Sequence, residues 1–390
     1  MNRKGLWAGG LAMCIAFCLI SYSTAWRTLE PEIRRLRAST VHAAPAQGAS
    51  SSVLLVLAKS DNTVALVDPT TLQVLGRVAS GPDPHEIVAS DDGKLAFISN
   101  YGGADSALNT ISVVDLVARK ALPPIDLGAL RSTHGLEFAG GELYFTAETN
   151  KAIGRYDLAS QRVDWVLGTG QDRTHMIAVS EHLDRIITTN VASGTVSIIE
   201  QFTQGNGNFG PPPGGPPGAG AAPGGPPPGT PRLSWRVTNV AAGKGCEGFD
   251  LSRDGKEIWV ANAQDATITI IDVASHKATE TLPIPVKGAN RLKFTPDGKL
   301  ALISGLRADV NAGDSSLVVM DTSTKQVVKK LNLGGGAAGI LMARDGSRAY
   351  VAVSSGDKIA VVDLKRLEVS GQILAGKQPD GMAWAAIPAH

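Results

Sequence analysis

Cysteine is nearly missing from the body of this 390-residue chain: Cys14 and Cys18 lie in an N-terminal apolar stretch, leaving Cys246 alone. One thiol cannot close an internal disulfide, so the fold must rest on burial and strand pairing. No C-x-x-C-H sequence occurs, which argues against covalently attached haem. Also missing are the G-x-S-x-G elbow, the phosphate-binding P-loop and the H-E-x-x-H zinc signature. An excess of either charge is missing too, with 37 basic and 36 acidic residues and a net charge of +1. No basic stretch carries interleaved aromatics. Neither nucleic acid nor an acidic lipid surface is therefore expected as a partner.

What is present begins with an addressing segment. Asn2-Arg3-Lys4 precedes the apolar stretch 5–25, which ends in Ser23-Thr24-Ala25. This reads as a signal peptide or, uncleaved, as a membrane anchor over residues 1–25, with a polar, Ala-rich linker over 26–51. A periplasmic or extracellular location follows, with the membrane touched only through that anchor.

The folded part, 52–390, is built on an internal repeat. Seven segments end in an acidic residue after a β-branched run: Asp68, Asp115, Asp157, Glu200, Asp272, Asp321 and Asp363. Their spacings are 47, 42, 43, 72, 49 and 42 residues. The long step holds a Pro/Gly-rich insertion, 205–231, whose removal brings it to 45. Its last 21 residues carry ten prolines and seven glycines, a composition that cannot bury a core and is expected to be disordered. Within each unit an apolar run, an Asp-Gly turn (Asp92-Gly93, Asp254-Gly255, Asp297-Gly298, Asp345-Gly346), a second apolar run and two further strands follow in order. Four antiparallel strands repeated seven times describe an all-β, seven-bladed β-propeller. The chain ends on a lone first strand, 378–386, and its folded part opens on strands two to four. The two ends are therefore expected to complete one blade and remove the open sheet edges. The recurring aspartates read as turn-fixing residues. Asn100, Asn150, Asn190 and Asn262, near the ends of second strands, are expected at the starts of loops.

The stretches "SRDGKEIWVANAQDATITIID" (252–272) and "ARDGSRAYVAVSSGDKIAVVD" (343–363) resemble the YVTN-repeat propellers, the group that includes YncE-like proteins. The resemblance spans roughly 52–386 and implies the same architecture. It does not choose an activity, because propellers host unrelated functions, lactonases and lyases among them.

One repeat column is chemically distinctive. Aligning the residue just ahead of each first strand gives His85, His134, His175, Glu247, Asn290, Ala338 and Asp380, which takes three of the chain's seven histidines. First strands line the central channel, so this column is expected to form a ring at one mouth. His85, His134, His175 and Glu247 are the candidate catalytic residues and the candidate ligands of a divalent transition metal (Zn, Cu, Mn or Fe). Without metal, one of the histidines is the candidate general base. Glu86, Tyr101, Asn290, Arg291 and Asp380 are candidate substrate contacts, with Cys246 also placed nearby. Two functions are expected from this pattern: a metal-dependent lyase or lactone hydrolase, or a non-catalytic monomeric envelope protein that binds a small molecule or another protein.

Overall fold

The computed structural model describes residues 51–102, 107–204 and 232–388. The N-terminal addressing segment, most of the linker and the Pro/Gly-rich insertion lie outside these residues. Twenty-eight strands form seven four-stranded antiparallel sheets, a seven-bladed propeller. In chain order we number the blades 1 (84–126), 2 (136–168), 3 (174–241), 4 (246–283), 5 (289–331) and 6 (340–373). Blade 7 combines the C-terminal strand Pro379–Ile387 with the N-terminal strands Ser51–Ala58, Thr63–Val67 and Val74–Ala79.

The closing blade is joined by strand pairing between the two ends of the chain. Leu54 lies opposite Trp384 and Val53 opposite Ala385. The ring therefore closes without a covalent link, by a ladder that covers one edge of each terminal strand.

The sequence dictates this stacking through its middle strands. Leu54, Leu55, Val56 and Leu57 are all fully buried, because the second strand of a blade is covered on both faces by neighbouring blades. Core clusters accordingly cross blade boundaries; one packs Trp259, Ile268 and Ile270 of blade 4 against Leu292, Ile303 and Val318 of blade 5. Fourth strands are the most exposed of each blade, as at Lys277–Pro283, and at Arg162–Gly168 the exposure alternates.

The turn chemistry follows the repeat. Gly93, Gly255, Gly298 and Gly346 all hold a left-handed φ between +68° and +74°, the conformation their Asp-Gly turns require. Blade 3 has Leu183 with φ 59° in its corresponding turn. The recurring aspartates act alike: Asp68, Asp115, Asp272, Asp321 and Asp363 accept backbone N–H groups two or three residues ahead. So does Asp157, through Ala159. Glu200 differs, pairing instead with Arg185 at 3.1 Å and His276 at 3.2 Å.

The asparagine expectation needs correction. Asn100, Asn190 and Asn262 are buried last residues of second strands, each donating to two hydroxyls of its own blade, such as Thr267 and Thr269 for Asn262. A carboxamide is used there because a buried strand end needs both its donor and its acceptor capacity. Asn150 falls outside that column and is exposed, accepting from the Arg131 backbone N–H.

Candidate functional site

The aligned column does form a polar cluster at one end of the channel, and a recurring β-bulge builds it. In blade 1, Pro84 pairs with Asn100 and the next pair is Ile87 with Ile98, so His85 and Glu86 together face the single residue Ser99. Blades 3, 4 and 5 repeat the irregularity at His175, Glu247 and Asn290. Bulges bend a strand and re-aim its side chains. Five of the seven column residues thus occupy the second place of the first strand instead of preceding it. His134 and Ala338 stand two residues ahead of theirs.

Next to the column, second-strand hydroxyls satisfy backbone N–H groups in four blades. Ser99, Thr146, Thr189 and Ser304 accept from the N–H of Glu86, Gly135, Met176 and Arg291. Thr146, Thr189 and Ser304 also donate to the carbonyls of His175, Glu247 and Ala338 in the next blade, at 2.6–2.9 Å. Blades 2, 3 and 5 thereby fix the column residue of the next blade. Glycine follows the column residue in four blades, because the neighbour's backbone lies so close. A Cβ on Gly135, Gly248, Gly339 or Gly381 would sit 2.3–2.6 Å from the carbonyl oxygen of His175, Asn290, Asp380 or His85.

The other three blades place Glu86, Met176 and Arg291 at that level. The Arg291 guanidinium, 6% exposed, forms an ion pair with Glu86 of blade 1 and donates to the Asn290 carboxamide oxygen at 3.1 Å. Burial opposes the charge of Arg291, but the carboxylates of Glu86, Asp380 and Glu247 raise its pKa.

Three imidazoles are in contact. His85 Nδ1 lies 3.1 Å from His134 Nε2, and the rings of His134 and His175 pack at a tilt of 31° with centroids 3.6 Å apart. Tyr101 packs against His85 and His134 at 4.9 and 5.4 Å. His175 is clamped from both sides, Nδ1 at 2.5 Å from Glu148 and Nε2 at 2.9 Å from Glu247. Glu148 also accepts from the Tyr101 hydroxyl at 2.7 Å, and Arg173 lies 3.5 Å from Glu148 and 3.7 Å from Glu247.

These surroundings drive the two buried histidines apart. Burial pushes the His134 pKa well below its ordinary value, and the neighbouring His175 and His85 add to the effect. Burial opposes the charge on His175 as well, yet the carboxylates of Glu247 and Glu148 outweigh it and raise the pKa. Burial likewise opposes ionisation of Glu247, but His175 and Arg173 bring its pKa down to about 2. Burial and Glu148 push the Tyr101 hydroxyl up to about 12. The two neighbouring imidazoles are thus driven in opposite directions, a divergence typical of acid–base sites.

His85 is the most accessible of the three, 15% exposed at its side chain. Its Nε2 lies 3.2 Å from Asp83. The Asp83 carboxylate accepts there, so Nε2 carries the proton and Nδ1 offers a lone pair. Nδ1 faces His134 Nε2, Asp380 at 3.7 Å and Lys59 Nζ at 3.5 Å. His134 Nδ1 is buried and has no hydrogen-bond partner among the described residues.

Lys59, Asp83, Glu148 and Arg173 escaped the sequence reading, and they follow two further columns. Lys59, Tyr101 and Glu148 each stand one residue past a second strand, and their N–H groups donate to the carbonyls of Gln378, Asp83 and Ser132. Those acceptors lie two residues before the histidine column. Asp83, Ser132, Arg173 and Gln378 hold left-handed φ values of 49–57° there, where blades 4 and 5 have Gly245 and Gly288. Non-glycine residues in that region cost energy and gather at functional sites.

Cys246 does not belong to the site. Its buried thiol points into the packing between blades 3 and 4 and donates to the Asn190 and Thr195 carbonyls. Alternate strand residues face opposite sides, which carries Cys246 away while Glu247 points in. Among the described residues no group of three or more His, Cys, Asp and Glu side chains is arranged to hold a metal ion. His175 could join such a centre only by releasing a carboxylate from one of its nitrogens.

No family model matches the chain, and no curated protein sequence matches it. Solved structures do. A functionally unknown protein from Desulfotomaculum acetoxidans has a TM-score of 0.64 and 11% identity, covering 86% of this chain and 99% of its own. A putative 6-phosphogluconolactonase from Bacteroides uniformis has a TM-score of 0.62 and 14% identity, covering 86% of this chain and 100% of its own. The dihydro-heme d1 dehydrogenase NirN has a TM-score of 0.57 and 14% identity, covering 88% of this chain and 77% of its own. At these identities the likeness is one of fold: the chain is a seven-bladed β-propeller, similar in architecture to lactonase-like and haem d1 proteins.

Proposed function

We propose that the chain is an exported, monomeric propeller of YVTN/YncE-like type whose histidine-bearing channel mouth hydrolyses a small lactone or ester. The observation that carries this reading is the Asp83–His85 pair, a partly exposed imidazole with its orienting carboxylate at 3.2 Å. It is the base-and-orienter arrangement that general-base catalysis uses. His85 Nδ1 takes a proton from water, the resulting hydroxide adds to the carbonyl carbon, and the acyl C–O bond breaks. The proton held on His85 then passes to the leaving oxygen, giving a carboxylic acid and an alcohol. The lactonase-like neighbours agree with this chemistry at the level of fold alone. Steady-state hydrolysis of a panel of lactones and aryl esters, wild type against His85→Gln, tests it. Turnover abolished in the variant supports the reading. Equal rates in both proteins, or none in either, would return the chain to the class of non-catalytic binding propellers.

A second reading is the transition-metal centre, with His85, His134, His175 and Glu247 as its ligands in a lyase or lactonase. The unpartnered, buried His134 Nδ1 favours it, since a neutral imidazole nitrogen is a ligand in waiting. Metal analysis of the purified protein beside a His85→Ala/His134→Ala/His175→Ala variant decides between the two.

A further inference from the structure

Lys59 has no place in the chemistry described so far, yet its ammonium stands beside His85. It enters from blade 7, one residue past the strand Ser51–Ala58, and its backbone N–H is tied to the Gln378 carbonyl at 3.2 Å. Its side chain is 24% exposed. Nζ lies 3.5 Å from His85 Nδ1, 3.6 Å from Asp380 and 3.9 Å from Asp83. Among the described residues it has no closer polar partner. An ammonium has three donors, and good N–H···O hydrogen bonds run from 2.7 to about 3.2 Å. The two carboxylates therefore hold the cation in place by charge while its donors remain at or beyond the outer edge of hydrogen bonding. A donor so placed is ready for an oxygen that arrives with a ligand.

The position is specific. The same column supplies Tyr101 and Glu148 in blades 1 and 2, both engaged with each other and with His175 or His85. In blades 3, 4 and 5 it holds Val191, Ala263 and Leu306, which offer no side-chain donor. Lys59 is thus the only cation of that column, and it stands beside the ring nitrogen assigned as the base.

We infer that Lys59 is a further catalytic residue, whose ammonium donates to the carbonyl oxygen of the ligand and holds the negative charge that forms there when hydroxide adds. This rests on the hydrolase reading, and it narrows the ligand to molecules that place a carbonyl or carboxylate oxygen within reach of both Lys59 and His85. Donors aimed at developing oxyanion charge act most strongly in sites shielded from water.

The test uses the full chain as wild type, Lys59→Met and Lys59→Arg, with D-glucono-δ-lactone as substrate and D-gluconate as binding probe. Lys59→Met is expected to lower kcat by about a hundredfold to a thousandfold with a much smaller change in KM, the effect of losing one oxyanion donor. Lys59→Arg, which keeps a cation, should recover part of that loss, and unaltered thermal melts would show that folding is not the cause. Lactone turnover equal in wild type and Lys59→Met would overturn the assignment and leave the hydrolase reading standing. With no turnover in wild type, of this lactone or of the panel of lactones and aryl esters, the hydrolase reading falls, and gluconate calorimetry judges Lys59 by itself. Affinity at least tenfold weaker in Lys59→Met keeps it as the ligand's oxygen contact; equal affinity, or no binding in either, removes it.

Discussion

Arg291 of blade 5 reaches across the bore of the propeller to Glu86 of blade 1, a carboxylate 205 residues earlier in the chain. At the same level the other blades carry Met176 or glycine, so these two side chains supply the charges of that layer. The pair ties the residue next to His85 to the opposite side of the ring, with the carboxylates of Asp380 and Glu247 also acting on the guanidinium.

Removing one partner from a buried ion pair leaves an uncompensated charge. Arg291→Met is expected to destabilise the fold by about 3 kcal/mol, since breaking such pairs costs about 3–5 kcal/mol and Glu86 is only partly buried. Glu86→Gln should cost less, because Asp380 and Glu247 still face the guanidinium. The double variant Glu86→Leu/Arg291→Met should regain most of the loss. Urea unfolding of the three proteins checks the order.

The two neighbouring histidines predict a pH dependence of opposite sign. The pKa of His175 is raised in the fold, so its stabilisation is complete below the unfolded value, about 6.5, and is lost as pH rises through the folded pKa. The pKa of His134 is lowered, so its contribution is present above that unfolded value and is lost as pH falls toward the folded pKa. Glu247 adds a further loss between its ordinary value and about 2. Stability is therefore expected to peak in the neutral to weakly acidic range. His175→Gln should flatten the alkaline side and His134→Gln the acidic side, as measured by denaturant midpoints across pH.

Much of this was legible from the repeat, and the reason is geometric. A spacing of 42–49 residues makes position within a blade readable, so His85, His134, His175, Glu247, Asn290 and Asp380 could be aligned without coordinates. Their convergence follows from closure of the ring. Lys59 was hidden because the first strand of its blade lies at the other end of the chain. Glu148 was hidden because a short 3-10 turn, Glu148–Asn150, replaces the longer loop found after Tyr101. Arg173 and Asp83 were hidden because their column is marked by a left-handed backbone, which in sequence shows only as Gly245 and Gly288. The metal expectation failed to anticipate one thing: that Glu148 would join Glu247 in occupying both nitrogens of His175.

The metal-free reading makes a direct prediction for chelation. Dialysis against a chelator should leave hydrolysis and thermal stability unchanged, and purified wild type should hold no stoichiometric transition metal. Metal present in wild type and lost from the triple histidine variant would replace this reading by the second.

The glycine level should be intolerant of a single methyl group. A Cβ on Gly381 would lie 2.4 Å from the His85 carbonyl oxygen. Backbone on both sides must then shift, at a cost of about 1–3 kcal/mol for overpacking. Because the displaced group is the backbone of His85, Gly381→Ala should reduce hydrolysis beyond what its loss of stability explains. Gly168→Ala is the control, since no atom lies within 4 Å of its added Cβ.

Cys246 provides a probe of the intact core beside the site. Burial pushes its thiol up to about 11, and Sγ lies 3.1 Å from the Thr195 carbonyl, so little thiolate exists at neutral pH. In a chain carrying Cys14→Ser and Cys18→Ser, a thiol reagent should leave native protein unlabelled and react only as the propeller unfolds. The labelling rate then reports opening between blades 3 and 4, where the Thr189 hydroxyl fixes the Glu247 carbonyl at 2.6 Å. Thr189→Val removes that tie while keeping the shape of the side chain. It should accelerate labelling at constant pH, because the N–H of Met176 and the carbonyl of Glu247 both lose their partner. Labelling as slow as in wild type would show that the hydroxyl bridge does not hold the two blades together.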